Sequence, residues 1–470
     1  MVYTDTMVKK GDQVELNIES MAIGGRGIGR IDGLVVFVTG SIPGDRVRAR
    51  VVRKKREYAE AVVAEVLTPS PDRVEPPCPY FGYCGGCQWQ HVAYERQRFY
   101  KRELVRGCIE HIGGLKDSLI RETLPSPATY AYRNKMEFSF SDHRWLLPRE
   151  SDLSGPSRGF ALGLHVPGTF DKVLDIDACL LVEGVTNEIL REVKEITRSS
   201  GIPAYGLKTH QGFWRFLTIR HSRALDQWMV NVITSEYQPV NVRPLADRLT
   251  NRFPTVTSVI NTINTGKAAI ATGDREVLLF GLPRIKDRLG SYVFHISPNS
   301  FFQTNTAAAE RLYETVSAYA ELGRGETVLD LYCGTGTIPI LLSPRAGLVT
   351  GIEMSPSAVL DAERNCKENG IDNCRFIQGD ARRMLGQIGA VPDVVVLDPP
   401  RSGMHEDVVK GVLDLSPKRI VYVSCNPATL ARDLGRMTPA YELVAVQPVD
   451  MFPNTHHVET VVKLRQHLGC

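Results

Sequence analysis

The 470-residue chain has no apolar run long enough to span a bilayer, no internal repeat and no low-complexity tract. Their absence argues against a membrane-spanning protein and a repeat architecture. Neither sign of charge is in excess, with 56 Lys and Arg against 53 Asp and Glu, so net charge says almost nothing about partners. The opening "MVYTDTMVKK" lacks the apolar core of a secretion signal, which leads us to expect a cytoplasmic protein, and Met7 offers a second candidate start. Ten cysteines without such a signal argue against a disulfide framework, because cytosolic thiols stay reduced. Metal binding or chemistry is the expected use of the sulfur.

The length exceeds one ordinary core and predicts several domains, while 43% hydrophobic and 23% charged residues describe a globular composition. Residues 1–68 alternate Val and Ile with polar residues between glycine turns such as "IGGRGIGRIDG" and "GSIPGD", as expected of a small β-barrel. Residues 69–95 are too rich in Pro and Gly for regular structure, and residues 96–122 open on a helical period that stops at Gly-Gly. Residues 123–290 read as a mixed α+β domain with one clear helix near "VEGVTNEILREVKEITR". Residues 291–470 alternate strands and helices in the manner of a parallel α/β sheet.

Within the first segment, "RVRARVVRKKRE" sets basic side chains beside alternating valines. This is either a strand facing phosphates or an edge strand protected by its charge.

Cys78, Cys84 and Cys87 lie together in "CPYFGYCGGCQWQ", where Gly-Gly lets the backbone fold around a bound centre. Cys179 in "VLDIDACLL" is the best fourth ligand, since it ends a segment able to return the chain to the site. Zinc and a [4Fe-4S] cluster both accept four thiolates, and spacing alone does not separate them. The interval differs from that of zinc-ribbon pairs and leans toward iron and sulfur.

In "VLDLYCGTGTIPILL" Asp330 ends a predicted strand, and Gly334 and Gly336 bring bare backbone to a helix start. Glu353 ends the next strand, where a carboxylate can bind both hydroxyls of a ribose. A nicotinamide dinucleotide is one reading, but the full G-x-G-x-x-G is missing, and an acidic residue before the loop suits the amino group of S-adenosylmethionine. Asp380 is placed to reach the adenine, and Asp398 in "VLDPPRSG" should face the same crevice beyond the strand ends. Acidic-Pro-Pro loops in amino-methylating enzymes continue with an aromatic residue, whereas Arg401 stands here, which argues against an amino acceptor.

Cys425, in "VYVSCNPATLARDL", ends the strand after that of Asp398, so the same rule puts its sulfur at the crevice rather than in the core. Uracil C5 is a poor nucleophile until a thiolate adds at C6, so a thiol beside a methyl donor has a use. The C5 proton then needs a base, for which Glu459 is the choice over His456 and His457.

Together "SCNPATLARDL", "DPPRSG", "CGGCQWQ", "DLYCGTGT" and "FFQTN" resemble the TrmA/RumA family of S-adenosylmethionine-dependent RNA uracil-C5 methyltransferases, across nearly the whole chain and in the family's order. The resemblance implies an N-terminal OB-like TRAM barrel, a central α+β domain with a [4Fe-4S] site on Cys78, Cys84, Cys87 and Cys179, and a C-terminal Rossmann-like methyltransferase domain. It further implies Cys425 as nucleophile, Glu459 as base, and S-adenosylmethionine contacts from Gln303, Tyr332, Glu353 and Asp398. Relatives often carry Phe at the position of Tyr332, whose ring serves equally. Barrel and cluster together point to 23S ribosomal RNA as substrate, with an unstacked loop uridine as target and a monomer as the acting species. The alternatives are a tRNA uracil-C5 enzyme, an RNA cytosine-C5 enzyme and a non-enzymatic iron-sulfur RNA-binding module. The family also implies that the helix after the cluster packs on the catalytic domain.

Overall fold

The structure, a computed structural model, describes residues 8–116, 118–150 and 159–467; Met7 lies outside them. The first six strands form one sheet between residues 13 and 68. Gln13–Asn17 pairs with Arg46–Lys54, and the chain then bends so that Ser20–Ala22 pairs with Arg26–Ile31, which curls the sheet around Val36, Val38, Val47 and Ala49. Gly29 permits this closure, since a Cβ there would lie 2.5 Å from the Asn17 carbonyl oxygen. The basic run does form a strand, Arg46–Lys54, but much of its charge is already paired. Arg46 and Arg48 bind Glu15, Arg48 also binds Glu65, and Arg53 reaches Glu60 at 3.8 Å.

Residues 135–281 build an eight-stranded mixed sheet. The sequence shows one helix here, but the described residues form two α-helices, Gly184–Ser199 and Pro239–Arg252. The second is the crossover that joins the parallel pair Gln227–Thr234 and Val256–Ile263, a connection that parallel strands require. Pro239 at its start and Pro244 inside it hide its helical period. The boundary expected after residue 290 falls in the turn of a hairpin, Ile285–Leu289 with Tyr292–Ile296. Its Ile285, Phe294 and Ile296 share one core with Ala308, Leu312, Val394 and Val423 and also with Met229 and Ile260 of the central sheet, so the hairpin packs between the two sheets.

That sheet runs Cys374–Gln378, Leu348–Glu353, Thr327–Leu331, Val394–Leu397, Arg419–Ser424, Glu459–Gln466, Tyr441–Val449. Only Glu459–Gln466 opposes the others. The strand order reverses between Thr327–Leu331 and Val394–Leu397, and ligands of open α/β sheets sit beyond the strand ends at such a point. The helix Tyr94–His111, far away in sequence, buries Val105, Cys108 and Ile109 against Leu430, Ala431 and Leu434 of the helix Pro427–Met437. Ile120 and Leu124 then bridge to Val446 and Val449.

Candidate active site

The crevice opens where three strand ends meet. Tyr332 takes a left-handed φ of 68° directly after its strand and donates its N–H to the Ile352 carbonyl at 3.0 Å. Gly334 and Gly336, with φ of 53° and 79°, complete the turn, and Gly336 caps the helix Thr337–Leu342. Glu353 spans the loops, accepting from Gly334 N at 3.1 Å and from Ser355 N at 2.8 Å. Asp330 is buried beneath, and neither of its carboxylate oxygens has a hydrogen-bond partner among the described residues. Burial first, then the charges of Asp398 and Glu353, hold its carboxyl well above the usual range. Burial likewise pushes Asp398 up to about 7. A crevice floored by crowded carboxylates is short of a cation.

Asp380 stands apart from this group. It caps the short helix Ala381–Met384 and binds the Arg382 side chain, which lowers its carboxyl to about 2. Gln303 is fixed from the central domain, since Asn134 Nδ2 donates to its carbonyl at 2.9 Å. Its side chain is hydrogen-bonded to buried Tyr313, which also feels the charges of Asp398, Glu459 and Asp330. Nothing in the helical stretch around Tyr313 marks it in the sequence.

Cys425 follows the strand Arg419–Ser424, and Glu459 opens its antiparallel neighbour, where Ser424 pairs with Thr460. Burial, then the carboxylate of Glu459, raise the Cys425 thiol to about 11, while Arg401 acts in the opposite direction by charge and hydrogen bond. Burial and the charge of Asp398 push Glu459 up to about 8. Cys425, Glu459, Asp398 and Arg401 are therefore one electrostatic group. A cavity of about 190 Å³ lies over Cys425, and its walls come from distant parts of the chain: Ile23, Leu104, Arg401, His456 and His457. Arg401 Nη2 lies 2.7 Å from His457 Nδ1. Burial drives His456 and His457 down to about 4 and about 3.

The loop carrying both histidines is clamped from several sides. Lys101 donates to Asp450 Oδ1 at 2.6 Å and to the Phe452 carbonyl at 3.0 Å. Gln88 N and Trp89 N both donate to the Asn454 carbonyl, at 3.1 and 2.9 Å, and Tyr132 donates to the Pro453 carbonyl at 3.1 Å. None of these clamps leaves a mark in the sequence.

Cys78, Cys84, Cys87 and Cys179 line one larger cavity of about 510 Å³. Burial is the main cause that raises the Cys84 and Cys87 thiols, to about 11 and about 12, and the neighbouring sulfurs add to it. An all-sulfur donor set, with Cys179 buried and Cys78, Cys84 and Cys87 half-buried, suits a thiophilic cationic centre. Among the described residues no three His, Cys, Asp or Glu side chains converge closely enough to hold a single metal ion.

Comparison with known proteins adds the following. Residues 390–467 match the tRNA (uracil-5-)-methyltransferase family, residues 322–421 a methyltransferase domain and residues 8–64 the TRAM domain. An uncharacterized RNA methyltransferase of Chlorobaculum tepidum is 44% identical over 96% of both chains. One of Porphyromonas gingivalis is 41% identical, covering 96% of this chain and 99% of its own. Among solved structures, the Pyrococcus abyssi tRNA (uracil-54, C5)-methyltransferase in complex with S-adenosyl-L-homocysteine is 31% identical, with a TM-score of 0.75 over 96% of this chain and 100% of that one.

Proposed function

The chain belongs to the TrmA/RumA-type family of RNA uracil-C5 methyltransferases, and from that premise we propose that it makes 5-methyluridine in RNA through a transient bond from Cys425 to uracil C6. The observation that carries the mechanism is the electrostatic grouping of Cys425, Glu459, Asp398 and Arg401 at adjoining strand ends. When bound, S-adenosylmethionine supplies the methyl group and a positive sulfonium. The crowded carboxylates, with Asp330 unpartnered among the described residues, fit that charge: Asp330 and Asp398 would face the donor with Gln303 and Tyr332, Glu353 its ribose, and Gly334 and Gly336 its backbone approach. Asp380 would hold the adenine edge only by releasing Arg382.

Cys425 as thiolate adds to C6, and the displaced electron pair makes C5 nucleophilic toward the methyl group. Arg401 favours the thiolate. Glu459 then takes the C5 proton, and C5–C6 unsaturation returns as the sulfur leaves. A carboxyl raised to about 8 is a fitting acceptor, because its conjugate base is strong for a carboxylate. The target must leave its stack to expose both faces of the ring.

Cys78, Cys84, Cys87 and Cys179 would hold a [4Fe-4S] cluster in a structural role, a reading supported by their shared cavity and all-sulfur chemistry. No electron need pass through it, since methyl transfer to carbon moves none between enzyme and RNA. The protein would act as a monomer, and the cytoplasm is where its RNA would be met.

On the sequence resemblance, 23S ribosomal RNA is the proposed substrate. Transfer RNA is the second reading, favoured by the Pyrococcus abyssi relative, whose alignment over 96% of this chain takes in the barrel as well. The barrel therefore no longer distinguishes the two. Incubation with labelled S-adenosylmethionine and unmodified 23S RNA or tRNA, followed by mapping of the methylated nucleotide, decides between them. Formation of 5-methylcytidine instead would refute the uracil assignment.

A further inference from the structure

Uracil and cytosine differ most at the edge next to C5. Uracil presents N3–H as a donor and O4 as an acceptor, whereas cytosine presents a bare N3 and an amino group. The cavity over Cys425 contains one group whose hydrogen-bonding sense is fixed by its surroundings. His456 lines that cavity, and its Nδ1 lies 3.2 Å from Oε1 of Gln88. The orientation of the Gln88 amide is set on its other side, where Nε2 donates to the Gly85 carbonyl at 2.9 Å. The amide oxygen can only accept, so Nδ1 carries the ring proton and Nε2 keeps its lone pair. Nε2 has no hydrogen-bond partner among the described residues. Burial, reinforced by the charges of Lys101 and Arg401, keeps the ring neutral.

His457 is not an equivalent acceptor, because its Nδ1 faces Arg401 at 2.7 Å. The backbone also immobilises His456. Gln88 N and Trp89 N bind the Asn454 carbonyl, and Trp89 Nε1 donates to the Gly25 carbonyl at 3.3 Å. The tip of the barrel consequently abuts the ring: a Cβ on Gly25 would lie 3.1 Å from His456 Cβ.

Resting on the reading that Cys425 attacks a pyrimidine at C6, we propose that Nε2 of His456 accepts the N3–H of the target uracil, and that Gln88 enforces rejection of cytosine by fixing the tautomer. Cytosine N3 in the same place would set one lone pair against another, and a site built around a hydrogen bond discriminates strongly against a base that cannot make it. Gln88 directly follows Cys87, so the cysteine-rich segment also sets base choice at a site on another domain.

The test uses full-length protein and one RNA carrying uridine, cytidine or 3-methyluridine at the mapped target, with methyl transfer and trapping by the 5-fluoro bases as readouts. For uridine, His456→Ala is expected to lower kcat/KM about tenfold to a hundredfold, mainly through KM, the cost of leaving the buried N3–H without an acceptor. The native enzyme should act poorly on 3-methyluridine, this penalty should largely vanish in that variant, and the uridine-to-cytidine ratio should narrow. His456→Gln, which retains an acceptor, should restore part of the ratio. Native discrimination in His456→Ala with S-adenosylmethionine binding intact would overturn the inference. Should His456→Ala fail to bind S-adenosylmethionine, Gln88→Leu answers instead: it frees the tautomer, and an unchanged ratio there also overturns the proposal. Failure of the native protein to be trapped by the 5-fluorouridine RNA would remove the underlying reading, an outcome distinct from the others because it needs no variant.

Discussion

Lys101 and Asp450 form an ion pair with 2.6 Å between Nζ and Oδ1, and neither side chain is exposed. The partners are 349 residues apart and join the helix Tyr94–His111 to the loop that carries His456 and His457. Burial lowers the Lys101 pKa although Asp450 opposes it. Backbone groups of Phe452 add to the pair's hydrogen bonding: its carbonyl takes a second Lys101 proton, and its N–H donates to Asp450 Oδ1 at 3.1 Å, while the buried Oδ2 has no hydrogen-bond partner among the described residues. Lys101→Met leaves a buried carboxylate unpaired and is expected to cost about 3–5 kcal/mol. Urea unfolding checks this, and a loss under about 1 kcal/mol would mean that the pair is solvated in solution.

Binding of the methyl donor should depend on pH. Burial holds the Asp398 carboxyl at about 7, far above its unfolded value, and a sulfonium beside it favours the ionised form. Affinity for S-adenosylmethionine is thus expected to rise as pH increases through about 7 and then level off, with a proton released on binding below that point. S-adenosylhomocysteine, which lacks the sulfonium charge, should show a weaker dependence. Calorimetry in buffers of different ionisation enthalpy measures both, and identical pH profiles would remove the charge argument.

The barrel's contribution to RNA binding should come from a subset of its basic residues. Arg46, Arg48 and Arg53 are engaged with Glu15, Glu65 and Glu60, whereas Lys54, Lys55 and Arg56 enter no ion pair among the described residues. Neutralising these last three should weaken RNA binding and reduce the slope of log affinity against log salt by up to about 2, at roughly 0.7 per lost phosphate contact on single strands. Neutralising Arg46 and Arg48 should change the slope less. Equal effects from the two sets would refute the distinction drawn from ion pairing, and no effect from either would take residues 46–56 out of the RNA interface.

The cysteine cavity gives a spectroscopic expectation. Protein purified without oxygen should be brown, with about four iron and four sulfide per chain, and Cys179→Ser should lose most of the colour. A colourless native protein carrying one zinc would refute the cluster.

The sequence displayed the site's chemistry better than its walls. Asp398, Cys425 and Glu353 stand at or just beyond strand ends, and the ends of parallel strands share one crevice whatever the loops do, so short motifs sufficed to bring them together. The central strands of the C-terminal sheet, Thr327–Leu331, Val394–Leu397 and Arg419–Ser424, were legible as apolar runs because they are buried on both faces. The helix Pro239–Arg252 was not, because its prolines broke the period that would reveal it. The pairing of the arginines with Glu15 depends on strand register, which a basic run does not encode. Ile23, Leu104 and His456 meet at one cavity only through the packing of three separate regions, and Tyr313 sits in an ordinary helical pattern. Such contacts between distant segments leave no local mark.

The most direct test of the central claim is mass spectrometry of the protein after incubation with S-adenosylmethionine and RNA bearing 5-fluorouridine at the target. Fluorine at C5 cannot leave as a proton does, so the expected result is a stable protein–RNA adduct on the peptide containing Cys425, absent from Cys425→Ser. Methyl transfer by Cys425→Ser at the native rate, or no adduct with the native protein under conditions where uridine is methylated, would contradict it.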